Sequence, residues 1–287
     1  MKKIKGFKAF NKGLKCRNFQ FKENEIFEQS GKLTICENGF HFCENPMDVM
    51  DYYDITDCEF AEVESLGETQ TQENKTVTNK IKIGVKLDLS AFIKASFNFL
   101  WEKTGKRDKN NIVDSGYYSQ VATSGNSSQV ATSGDSSQVA TSGDYSQVAT
   151  SGDSSKVATS GNSSKVATSG NYSKVATSGD SSKVATSGNS SQVATSGDYS
   201  KVATSGNYSK VATSGDYSQV EITAKNSIGA SIGKNSKVSG IIDTWIVLSE
   251  IDDNGDIKEV KTAKIDGTIL KENTFYQLIN GEFTEVK

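Results

Sequence analysis

Two sets of residues in this chain have types and spacings that could do chemistry. The first is the single histidine, His41, with the four cysteines Cys16, Cys36, Cys43 and Cys58, all near the start of the chain. Thiolates and imidazole are zinc ligands, and on an alternating strand His41 and Cys43 share a face. Zinc sites usually bring paired cysteine knuckles, whereas here the tight spacing is His-x-Cys alone. Buried thiols beside a hydrogen-bonded histidine fit this spacing better, and neither a metal nor a cofactor is expected. The second set is Lys156, Lys165, Lys174, Lys183, Lys201 and Lys210 with Tyr145, Tyr172, Tyr199, Tyr208 and Tyr217. These recur at fixed places in a short repeat and are expected on one water-facing surface. Lysines interleaved with aromatics suit a single-stranded nucleic acid, phosphates on the ammonium groups and bases on the rings. Against this, residues 114–222 hold six Lys and eight acidic residues, so charges that keep rods from sticking together are the plainer role.

The element that must position the second set is a run of twelve nine-residue units from Ser115 to Ile222, the first reading Ser-Gly-Tyr-Tyr-Ser-Gln-Val-Ala-Thr. A fixed short period means a stacked, quasi-one-dimensional fold. Each unit has Gly second and, after the first unit, Asp or Asn third, which predicts a turn in which these residues take left-handed backbone angles. The following Ser-Gln/Lys-Val-Ala-Thr predicts one short strand, with Ser, Val and Thr inward and Gln/Lys and Ala outward. Burying one Val contributes ~1.5–3 kcal/mol, while ordering nine residues costs on the order of 10 kcal/mol. No unit is stable alone, so coil must stack on coil. Two units per coil predict a narrow two-faced β-solenoid; Lys225-Asn226-Ser227 and Lys234-Asn235-Ser236 keep the spacing and predict a worn seventh coil. Tyr118, Tyr145, Tyr172 and Tyr199 recur in every third unit and would stack if a coil held three units; duplication of three-unit blocks explains that spacing better. Free exchange of Asp and Asn argues against a calcium cage, and inward Thr argues against an ice-binding face.

Around the rod the chain changes character. Residues 1–89 predict a small α+β domain, with strands at Phe7–Phe10, Phe19–Phe21, Leu33–Cys36, Phe60–Glu64 and Lys80–Val85 and a loop or hairpin tip over Gly67–Asn79. Asn45 caps a short helix with Pro46 at its first position and Met47, Met50 and Tyr53 inward. Residues 90–113 predict an amphipathic helix capped by Ser90, covering the first coil, and a basic linker (Lys103, Lys106, Arg107, Lys109). Residues 114–240 are the solenoid and 241–287 a β-meander cap, with hairpin signals at Asp266-Gly267 and Asn280-Gly281. A net charge of −3 selects neither a nucleic-acid binder nor an acidic mimic. The basic start followed by Gly6-Phe-Lys-Ala-Phe10 does not read as a signal peptide, and no apolar run reaches ~18 residues, so a cytoplasmic protein with free thiols and no membrane contact is expected.

The segment Gly39-Phe-His-Phe42, a turn, and Pro46-x-x-Val49-x-x-Tyr52 resembles a strand-to-helix pattern of ADP-ribosyltransferase-like folds. That resemblance implies an enzyme with Arg17, His41 and Glu62, or Glu64 in its place, as its orienting and charge-stabilising groups, with the rod as a spacer. The Phe7–Phe10 and Gly39–Tyr53 segments, with the tail Trp245-x-Val-Leu through Asn280-Gly-Glu-Phe283, resemble the ends of a family of phage and prophage proteins of variable rod length. This second resemblance implies a non-enzymatic interaction protein in the bacterial host cell. It would present its repetitive surface to a host protein or ribonucleoprotein, and inhibition of a host defence system, of the anti-CRISPR or anti-restriction type, is its sharpest form. A structural part of the virion, with the chain as a homo-oligomer, is the third expectation.

Overall fold

The computed structural model describes residues 3–35, 37–53, 58–88, 91–92, 95–96, 99 and 111–287. The chain divides into two compact units, Met1–Phe99 and Leu100–Lys287.

The second unit is the two-faced β-solenoid. Every repeat contributes one four-residue strand, such as Lys156–Thr159 or Lys165–Thr168. Each strand pairs in parallel with the next but one, Lys156 with Lys174 and Lys165 with Lys183, so a coil holds two repeats and successive repeats return on opposite sheets. The strands Asn111–Asp114 and Trp245–Ile251 extend the stack beyond the perfect repeats, giving each sheet eight parallel rungs. At ~4.8 Å per rung the stack is roughly 38 Å long. The solenoid therefore begins at Asn111 and ends at Ile251, so that Trp245–Leu248, expected in a separate meander, belongs to its last rung. The worn seventh coil is present as Ile228–Ser231 and Lys237–Gly240. Its Gly229 occupies a core valine position, and the Ile222 side chain fills the space a Cβ there would need.

The interior is a ladder of valines, Val121 to Val220, all between 0% and 6% exposed, flanked by inward Ser and Thr. The fifth-position serine of nine successive repeats, Ser119 to Ser191, donates to its own Gly carbonyl at 2.5–2.8 Å. The turn differs from the sequence expectation. The left-handed residue is the fourth, Tyr or Ser, with φ between 54° and 59° from Tyr118 to Tyr217, and neither Gly nor Asp/Asn takes that conformation. The glycine is needed because coils touch there: a Cβ on Gly161 would overlap the carbonyl of Gly143 one coil below. The third residue has a stacking role. Its side-chain Oδ1 accepts from the backbone N–H of the third residue one coil on, at 2.7–3.1 Å, from Asn126–Asp144 to Asp216–Lys234. Only an amide or carboxylate oxygen is used, which is why Asp and Asn exchange freely. Asp180→Ala is therefore expected to lose about 1 kcal/mol, whereas Asp180→Asn stays within ~0.5 kcal/mol; urea unfolding of the two variants checks this.

Two hairpins close the far end. Ile257–Lys264 pairs antiparallel with Trp245–Ile251, and Phe275–Ile279 pairs antiparallel with Lys237–Gly240 and with Glu282–Val286. The outermost strand on one sheet, IKEVKTAK, carries four charged side chains, Lys258, Glu259, Lys261 and Lys264, which blunts the edge against further pairing.

The first unit is built on an antiparallel sheet in the order Lys5–Phe10, Glu59–Ser65, Lys80–Leu87, Ile26–Glu28. A second sheet pairs Phe40–Phe42 with Lys75–Thr78 and that strand with Thr69–Gln72, so the expected hairpin tip belongs to a three-stranded sheet. Phe10, Phe21 and Phe40 form the core with Ile81 and Ile83. Asn45 caps the 3-10 helix Pro46–Asp51 by accepting from Met47 N, and Met47 and Met50 are buried. No strand forms over Leu33–Ile35; Thr34 bridges to Asn38 in isolation, and Cys36 lies outside the described residues. Residues 91, 92, 95, 96 and 99 are helical, but the cap is Asp88, whose Oδ1 accepts from Ala91 N at 2.7 Å. Phe92 stacks on Phe60 with ring centroids 3.9 Å apart. Ser90, most of the expected helix, the basic linker and the expected covering of the first coil lie outside the described residues.

Candidate functional site

In the first unit, the strand Lys5–Phe10, the strand Phe40–Phe42 and the segment after the 3-10 helix enclose a pocket of about 630 Å³. Its wall is aromatic (Phe7, Phe19, Phe40, Tyr52) and its polar groups include Lys8, Cys16, Arg17, His41, Tyr53, Lys75 and Glu37. Lys8 reaches it because Phe10 faces the core and strand alternation puts residues two apart on one side; only 5% of the lysine is exposed. Its Nζ donates to the His41 carbonyl at 3.0 Å and lies 3.8 Å from Cys16 Sγ. Cys16 Sγ in turn shares a hydrogen bond with Tyr53 Oη at 3.0 Å.

Burial dominates the electrostatics of this pocket. It lowers the Lys8 pKa from the ordinary lysine value, with the Arg17 charge adding in the same direction and Cys16 and Cys43 opposing. It lowers His41 to about 4, with the charges of Lys75 and Arg17 adding in the same direction, so this imidazole is neutral at pH 7. It raises the Tyr53 phenol, an effect strengthened by the Cys16 hydrogen bond. The pocket thus combines positively charged Arg17 and Lys75, the acidic Glu37, a neutral imidazole and a protonated phenol.

Of the three residues implied by the transferase resemblance, Arg17 and His41 line this pocket together. Glu62 does not: it is exposed on Glu59–Ser65, opposite Phe7 in the sheet, and absent from the lining. The three do not form one constellation, because strand alternation sends Glu62 to the face opposite buried Ala61 and Val63. His41 and Cys43 share the pocket as strand spacing implies, yet among the described residues no three His, Cys, Asp or Glu side chains converge to hold a metal. Sequence reasoning gave no site role to Lys8, Tyr53 or Lys75. The signal for Lys8 was present in the Gly6-x-Lys8-x-Phe10 alternation and that for Tyr53 in its inward place after the short helix; Lys75 is brought in from a distant element and carries none.

The second candidate surface is on the rod. The two sheets present different outer faces. On one, Ala122, Ala140, Ala158, Ala176, Ala194 and Ala212 form an exposed lane bordered by Gln120, Gln138, Lys156, Lys174, Gln192 and Lys210 on one side and by serines on the other. On the other, Ala131, Ala149, Ala167 and Ala185 are fully buried and Lys165 is only 7% exposed. The expected single stripe of lysines and tyrosines is therefore not formed. Because a coil spans two repeats, Lys156, Lys174 and Lys210 lie on the open face, while Lys165, Lys183 and Lys201 lie on the closed one. The tyrosines divide between the two turn edges: Tyr118, Tyr172 and Tyr208 along one, Tyr145, Tyr199 and Tyr217 along the other. Tyr199 and Tyr217 stack on each other at 5.0 Å. With Thr141, Thr159 and Thr177 turned into the core, the open lane has no rows of outward threonine such as an ice-binding face would need.

The family profile described as Domain of unknown function (DUF7666) matches residues 4–95 of this chain. No curated protein and no solved structure matches the chain. The profile match ends before the repeats begin, so it covers the pocket-bearing unit and leaves the rod outside it.

Proposed function

We propose that this is a binding protein whose rod presents its open face to an acidic protein surface. The observation that supports this reading is the difference between the two faces. The open lane offers exposed alanines at a constant spacing, a border containing Lys156, Lys174 and Lys210, and no carboxylate at any outward strand position from Gln120 to Ser214. The aspartates of the repeats from Asp135 to Asp216 sit in the turns, each with its Oδ1 turned to a backbone N–H group. A flat cationic lane with a small-residue floor accommodates an approaching surface with little side-chain ordering, and complementary charge speeds and orients the encounter.

A protein partner is preferred to a single-stranded nucleic acid because successive bases need successive rings. On the edge beside Lys174 and Lys210 the rings are two or three coils apart, about 10–14 Å at the rung spacing. The resemblance of both chain ends to phage and prophage proteins supports a partner from the bacterial host, and a component of a defence system is the form that would give such a surface a purpose.

The triple variant K156E/K174E/K210E tests the reading. Each rim charge is worth about 0.5–1 kcal/mol, so capture of the partner from bacterial lysate should fall roughly 10-fold or more and weaken for the wild type as salt rises. Equal capture by wild type and variant would overturn it. Loss of capture on nuclease treatment would replace it with the nucleic-acid reading, and regular self-assembly with no host protein bound would favour a structural part of a particle.

A further inference from the structure

We propose that Lys8 is a carbonyl-capturing amine, holding a small aldehyde or ketone that bears an anionic group as an imine within the pocket of the first unit. The geometry carries this. Lys8 lies on the wall of a 630 Å³ pocket rather than in a closed core, although its side chain is almost wholly removed from water. Two acceptors face its Nζ, the His41 carbonyl at 3.0 Å and Cys16 Sγ at 3.8 Å. A neutral amine has two N–H donors and one lone pair, so it can donate to both acceptors and still keep its lone pair for a carbonyl. The rings of Phe10 and Phe21, 5.3 and 5.6 Å away, and the thiols Cys16 and Cys43 favour the ammonium. Arg17 and desolvation oppose it, and the net direction is toward the free amine. A desolvated lysine next to another cation is the arrangement that makes an amine nucleophilic at neutral pH.

The same cations select the substrate. Arg17 and Lys75 line the pocket and supply charge for a carboxylate or phosphate, so an oxo acid or an anionic aldehyde fits better than a neutral carbonyl. In the step itself the Nζ lone pair attacks the carbonyl carbon while the π electrons move to oxygen. A proton passes from nitrogen to that oxygen, and the carbinolamine then loses water to give the carbon–nitrogen double bond. The balance is one amine and one carbonyl to one imine and one water, with no oxidation change. Tyr53, kept protonated and bonded to Cys16 Sγ, is the proton donor on the Lys8 side of the pocket that can assist departure of water.

The test uses the full chain with glyoxylate and sodium cyanoborohydride at pH 7, followed by peptide mapping, with the surface lysines as internal reference. A lowered amine pKa raises the fraction present as the reactive free base, so Lys8 should be modified severalfold faster than exposed Lys12 or Lys156. K8M should lose that fast adduct while the surface lysines react as before. R17Q should keep the fast reaction with neutral propanal and lose the preference for glyoxylate. Labelling of Lys8 at or below the rate of surface lysines in the folded wild type, judged by an unchanged circular dichroism spectrum, overturns the proposal. So does an R17Q variant that keeps an undiminished preference for the anionic aldehyde, for the substrate class.

Discussion

Replacing Gly161 by alanine is expected to destabilise the rod by about 3 kcal/mol or more, from a single methyl group. The backbone at Gly161 is not in the left-handed region, so alanine suffers no conformational penalty there. The cost is steric: its Cβ would overlap the carbonyl oxygen and carbon of Gly143, which are backbone atoms with no rotamer to change. Relief requires the two coils to separate, and that stretches the flanking hydrogen bonds Lys165 N to Ser146 O and Ser160 N to Thr141 O, now 2.8 and 3.0 Å. Gly116→Ala is the control. Among the described residues no coil lies beneath Gly116, and a Cβ there meets only the side-chain oxygens of Ser119 and Asp114 at 3.1 and 3.2 Å. Thermal unfolding followed by circular dichroism should show a large drop for G161A and a small one for G116A. Equal drops would mean that turn conformation, not coil contact, dictates this glycine.

Substituting valine for threonine in the core is expected to act in the opposite direction. The Oγ1 atoms of Thr150, Thr159 and Thr168 are buried and find no hydrogen-bond partner among the described residues. A buried hydroxyl without a partner costs about 1–3 kcal/mol relative to water, and valine keeps the branched shape that lines the ladder. The triple variant T150V/T159V/T168V should gain roughly 3 kcal/mol, seen as a higher urea midpoint at unchanged slope. Thr186 is the contrast, because its hydroxyl donates to Thr204 at 2.9 Å; T186V should gain nothing or lose stability. A loss in the triple variant would show that the hydroxyls bond to one another along the stack.

The two predictions concern features that differ in how far the sequence discloses them. Inward Val and Thr follow from alternation within one strand, a local property. The need for glycine was visible as an invariant within the repeat, but its cause was not. Gly-Asn and Gly-Asp suggested a left-handed turn, and the left-handed residue proved to be the Tyr or Ser after them, because the glycine is occupied in letting one coil rest on the next. The division of the lysines is different. Their spacing places all six at one position of the repeat, but the two-repeat coil that the sequence already implied sends Lys156 and Lys165 to opposite sheets, so a single stripe was never compatible with it. In the first unit, Arg17 and His41 line one pocket, while Glu62 does not, since neighbouring Ala61 and Val63 take the core side of the strand.

By itself, then, the amino-acid order determined the rung: its length, the place of its turn, its inward and outward residues, and the requirement that rungs stack, because nine residues cannot offset their own ordering entropy. It also determined where the perfect repeats give way to other sequence at each end. The tertiary structure alone decided which sheet stays open to solvent and that Lys8 is enclosed beside Cys16 and His41. These depend on contacts between residues 8 to 33 positions apart in the pocket and 18 apart in the rod, and such contacts are set by how the chain closes on itself rather than by any local preference.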